Sequence, residues 1–119
     1  MATIVKVNKR VHKSNLVDSD TGAECKTERV VDITADCSEA RGQGRVFLLF
    51  TKAKRGRIVQ IVRSSPGEAF KGMRIHFFVD ELEGEMHVAS RDDTFGFWAW
   101  RLGLAKQEFR ALIEANAPA

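Results

Sequence analysis

The sequence predicts an α+β fold: a curved antiparallel sheet of six or seven strands, barrel-like if it closes, with one C-terminal helix packed on it. Three observations lead there. Apolar and polar residues alternate with a period of two through most of the first hundred positions, as they do in half-buried strands. Glycine-containing or charged turns separate these runs. The last stretch changes to helical spacing, and since it is the single helix available, it must close one face of the sheet.

Taken in order, Thr3 to Val11 alternates Ile4, Lys6 and Asn8 with Val5, Val7 and Lys9, and Asp18-Ser-Asp-Thr-Gly22 is built of turn-forming residues. Lys26 to Ala35 supplies a second strand with Val30, Val31 and Ile33, and Cys37 to Gly44 reads as a surface loop. Arg45 to Ala53 and Arg57 to Ser65 form the clearest hairpin. Its three-residue connection, Lys54-Arg55-Gly56, fits a type I turn followed by a glycine bulge. Both strands are apolar on both sides, which places them centrally and demands cover on two faces.

A second hairpin joins Met73–Val79 to Glu85–Ser90 around Glu81-Leu-Glu-Gly84, with His76 and His87 expected as diagonal neighbours. Thr94 to Trp100 is expected as a last strand. From about 102 to 116 the chain reads as helix, with Leu102, Ala105, Phe109, Leu112 and Ile113 on one stripe, Lys106, Gln107, Arg110 and Glu114 outward, and Asn116 and Pro118 as stop residues. The 119 residues thus make a single domain, 1–119, with strands over about 3–100. One helix covers one sheet face, so a symmetric homodimer is expected to cover the other.

Composition excludes several classes. At 44% hydrophobic and 29% charged residues the chain is neither disordered nor a coiled coil. Runs such as Val46-Phe-Leu-Leu-Phe50 are far too short for a membrane helix, so no membrane partner is expected. The N-terminal residues lack the regions of a secretory signal, and a cytoplasmic location is expected. Cys25 and Cys37 have neither metal-site spacing nor a matching histidine, and read as reduced core or strand residues.

The net charge of +3 is mild, but its distribution is not. Arg41 to Arg74 carries nine basic residues against Glu68, whereas Asp80 to Asp93 carries six acidic residues against Arg91. Lys52, Lys54, Arg55 and Arg57 make the densest cationic cluster, on a hairpin able to reach phosphates. Phe95-Gly-Phe-Trp-Ala-Trp100 brings four large rings into six residues; read as a strand it offers Trp98 or Trp100 as a base-stacking platform.

These features point to a non-enzymatic binding protein for nucleic acid, single-stranded by preference. Lys52, Lys54, Arg55, Arg57 and Arg63 would hold phosphates, and Trp98 or Trp100 the bases. The alternative is a protein-binding regulator or inhibitor, of the kind phages and mobile elements encode, acting through segregated charged faces. No cofactor motif, metal-ligand set or nucleophile motif is present, so neither cofactor nor metal is expected. A nuclease is the residual enzymatic possibility, either metal-free through His76 and His87 or metal-dependent through Asp80, Glu81, Glu83, Glu85, Asp92 and Asp93.

Overall fold

Strands that are apolar on two sides need two covers, and the chain supplies both. The computed structural model describes residues 2–9, 12–14, 16–18, 20–37, 45–53, 56–64, 74–80, 87–88 and 92–118. Strands β1 (Thr3–Val5), β2 (Thr27–Asp32), β3 (Arg45–Ala53), β4 (Gly56–Ser64), β5 (Arg74–Asp80) and β6 (His87–Val88) follow one another in chain order across one antiparallel sheet. Two helices come last, α1 (Asp92–Arg101) and α2 (Lys106–Asn116).

Four strands, β2 to β5, make the body of the sheet, and the three-residue β1 and two-residue β6 only fringe it. Six or seven full strands and a barrel-like closure are therefore not what forms. Among the described residues no pairing joins β1 to β6, and the sheet stays open. The segment expected as the last strand, Thr94 to Trp100, is helical instead and lies within α1.

Local chemistry explains that reversal. Asp92 and Asp93 open α1, where carboxylates favour the positive end of the helix. Its other end is a Schellman stop: Leu104 N–H donates to Ala99 O at 2.9 Å and Gly103 N–H to Trp100 O at 3.0 Å. Gly103 has φ of 75°, which a side chain would disfavour. After this sharp turn, the Glu108 carboxylate accepts from Ala105 N–H at 3.2 Å and starts α2. The single expected helix is thus a helix pair, and α2 ends at Asn116, as the stop residues implied.

The β3–β4 hairpin forms as expected but with a tighter register. Pairing runs unbroken from Arg45↔Ser64 to Ala53↔Gly56, so Gly56 belongs to the ladder. The connection is then two residues, 54–55, rather than three, and these lie outside the described residues.

Val31, Val46, Leu48, Phe50, Val59 and Ile61 share the face that the helices cover, packed with Trp98, Ala99, Leu102, Phe109 and Ile113. Arg29, opposite Phe50, ties the end of α2 to the sheet by donating from Nη1 to the carbonyls of Asn116 at 3.1 Å and Ala117 at 3.3 Å. A cation here meets both the orphan carbonyls and the negative end of the helix.

Val30, Phe47, Leu49 and Val62 lie on the opposite face with Thr51 and Gln60, all buried. Val5 and Val7 pack there, and a strap of which residues 12–14 and 16 are described is tied to the sheet by hydrogen bonds. Gln60 Nε2 donates to Ser14 O at 3.0 Å, Ser14 Oγ to Cys25 O at 2.6 Å, and Thr27 Oγ1 to His12 O. The buried residues of this face are thus covered within one chain. Val17 and Glu24 then pair across the Asp18–Gly22 turn, where Gly22 N–H donates to Asp18 O at 2.8 Å. Cys25 and Cys37 are not joined in a disulfide, and Cys37 lies in the helix-side core.

Two ionisable groups fasten the sheet. Burial pushes the Asp32 carboxyl up, but hydrogen bonds from the Thr34 hydroxyl and N–H, with the Arg45 guanidinium at 2.6 Å, outweigh it and leave the pKa lowered. Burial lowers the pKa of His12, whose Nδ1 accepts from Asn8 N–H at 2.9 Å and so is unprotonated. A histidine kept neutral in the fold takes up its proton more readily when unfolded. Stability should therefore fall as pH drops below the ordinary value of 6.5 toward the depressed folded value. Denaturant titrations across that range should show the slope in the native chain, reduced in His12→Gln. Separately, Phe109→Ala should cost about 3–5 kcal/mol; an unchanged melting temperature would mean that α2 is not docked.

Candidate nucleic-acid interface

The two tryptophans expected to share a role are divided by the helix. At 100° per residue Trp98 and Trp100 point to different sides, and Trp98 is 6% exposed in the core whereas Trp100 is 73% exposed. Trp98 is thereby removed as a base-stacking residue: its indole is packed between helix and sheet, and the Arg101 guanidinium lies 5.4 Å from the ring centroid. Of the aromatic side chains described, Phe47, Phe50 and Phe109 are also buried, and Trp100 alone stands out.

Basic residues follow Trp100 along the chain. Arg101 follows it, and Lys106 and Arg110 stand one turn apart on the outside of α2; all three are exposed. The helix pair meets where Lys106 crosses Gly96, one turn before Trp100: a Cβ at Gly96 would come within 2.5 Å of Lys106 Cε and 3.3 Å of its Nζ. Sequence reasoning assigned Lys106 and Arg110 to the solvated side of a helix and gave them no function. The missing signal was the helical phase of Phe95–Trp100, without which Gly96, Trp100 and Lys106 cannot be brought together.

The basic hairpin lies elsewhere. Lys52, exposed, is opposite Arg57 in the ladder, one pair beyond the end of β2. Lys54 and Arg55 are outside the described residues. Arg63 is opposite Val46, six positions along β4 from Arg57 and thus about 20 Å away at strand rise, so it does not join the cluster. Nor is this end of the sheet purely cationic. Because β5 runs back beside β4, with Val79 opposite Arg57, Asp80 closes β5 at the end of the sheet where Arg57 lies. The α2 helix separates this region from the Trp100 corner: Arg29 holds its last residues near β3, and Lys106 is about 15 Å away along the axis.

The proposed histidine pair is not assembled. His87 is opposite Asp80, and His76 lies four residues further along β5, opposite Gln60, about 13 Å away at strand rise. Among the described residues no group of three or more histidine, cysteine or acidic side chains is placed to hold a metal, and no helix is long and apolar enough to cross a membrane. No protein-family model, curated protein or solved structure matches the chain.

The division of the tryptophans has a direct consequence for both stability and fluorescence. Trp98→Ala should cost about 3–5 kcal/mol by emptying a core position, and Trp100→Ala should stay within about 0.5 kcal/mol. Iodide should quench one tryptophan and spare the other; removing Trp100 should abolish the quenchable fraction.

Proposed function

We propose that the protein binds single-stranded nucleic acid without catalysing a reaction. The observation that carries this reading is Trp100, 73% exposed on a helix pair whose neighbouring exposed cations are Arg101, Lys106 and Arg110. An exposed indole beside several cations is the combination that sequence-tolerant single-strand binding uses, the ring taking a base and the cations the phosphates. Lys52, Lys54, Arg55 and Arg57 add a second cationic surface, tempered by the acidic residues from Asp80 onward.

Affinity for a labelled oligothymidylate should fall linearly with salt on a log–log plot, and duplex of the same length should bind more weakly. Lys54→Glu with Arg55→Glu should leave the melting temperature unchanged, since both residues sit in a hairpin connection. A lower affinity and a flatter salt slope in that variant would assign the hairpin a share of the strand; an unchanged slope would confine binding to the helix corner.

A second reading, a protein-binding regulator or inhibitor, is favoured by the sheet end itself. Arg57 pairs with Val79, next to Asp80, so residues of opposite charge share that end of the ladder, and a twofold pairing of such ends would allow a homodimer. A sedimentation mass that doubles on concentration at low salt would support it.

A further inference from the structure

We propose that the strap through His12 and Ser14 is an acid-released cover: protonation of His12 frees it from its face of the sheet while the sheet and the helix pair stay folded. The device stands apart from the single-strand reading, since none of its residues belongs to the helix pair.

His12 is the titratable clasp. The residue is 5% exposed, its Nδ1 accepts from Asn8 N–H at 2.9 Å, and its own N–H donates to Asn8 O at 2.7 Å. A proton on Nδ1 would set one donor against another, so the closed arrangement is closed to the imidazolium. Further bonds here join side chains to backbone: Thr27 Oγ1 donates to His12 O, Gln60 Nε2 to Ser14 O and Ser14 Oγ to Cys25 O. Opening also has a compensation in the sheet. Gln60 and Thr51 are fully buried on this face, yet among the described residues Gln60 Oε1 and Thr51 Oγ1 have no hydrogen-bond partner. Water reaching these oxygens relieves a cost that closure imposes, which favours a local opening over global unfolding.

Burial lowers the pKa of His12, whereas in an opened strap the ring regains its ordinary 6.5. The open form then binds the proton more tightly, so opening grows as pH falls below 6.5 and levels off under the depressed value. Charged and titratable neighbours come from each element around the strap. Lys9 and Lys13 lie beside it in the chain, Lys13 Nζ is 3.9 Å from Glu24, and Lys26 and Glu28 flank Thr27. Asp32, Arg74, His76, Asp80 and His87 occupy register positions of the same face. His76 and His87 are the groups among these whose ordinary titration falls in the same range.

Amide exchange followed by NMR from about pH 7.5 to about pH 5, corrected for the intrinsic exchange rate, reads the opening directly. Expected is a loss of protection at the Asn8, Leu16 and Cys25 amides of up to about tenfold per pH unit below 6.5, with the Leu102 and Phe109 amides unchanged. In His12→Gln the strap amides should show no such slope, whereas the double variant His76→Gln, His87→Gln should keep it. Protection independent of pH in the native chain would overturn the proposal, as would a slope that survives in His12→Gln or vanishes in the double variant. Equal losses at the strap and helix amides would mean global unfolding and would overturn it too.

Discussion

A hairpin that is apolar on both sides dictates the rest of this molecule. Val46, Leu48, Phe50, Val59 and Ile61 face one way, Phe47, Leu49 and Val62 the other, and neither set can be left to water. The helix pair closes the first face. The second is closed by Val5, Val7 and the strap, which is pinned by hydrogen bonds from Gln60, Ser14 and Thr27 rather than by a regular strand. The described apolar residues on both faces of β3 and β4 are thus covered within the chain, and among the described residues the outside of the helices and the ends of the strands are the places open to a macromolecular ligand.

Those remaining places differ in character. At one end of the sheet the register puts Arg57 opposite Val79, next to Asp80, so residue types of opposite charge share that end. The helix pair mixes charges too, with Arg101, Lys106 and Arg110 against Asp92, Asp93, Glu108 and Glu114, and it differs in carrying an exposed indole, that of Trp100. This contrast is why the single-strand reading moves from the basic hairpin, where the density of lysine and arginine first suggested it, to the α1–α2 corner.

Much of the sheet was legible because period-two alternation reports directly on strands. The β3–β4 pairing, the Asp18–Gly22 turn and the α2 stripe through Phe109 and Ile113 all follow from local pattern. The misreadings of Phe95–Trp100 and of the strap have different physical origins. Phe95 to Trp100 has the aromatic content of a strand and no polar side to give a helical phase; the deciding signals were Asp92 and Asp93 before it and Gly103 after it. The strap was invisible because its attachments span up to 46 residues and join side chains to backbone. The site inherited the first error. With Trp98 and Trp100 read as one strand face, no pattern could reveal that one is core and the other surface, or that Lys106 reaches Gly96.

Backbone and indole NMR shifts during titration with an oligothymidylate address the central claim most directly, because they locate the strand on the fold without altering a residue. The account predicts movement of the Trp100 indole N–H and of the amides of Gly96, Lys106 and Arg110, with the strap amides of Ser14 and Leu16 unmoved. Shifts confined to the Lys52–Arg57 end of the hairpin, or to the strap, would contradict it.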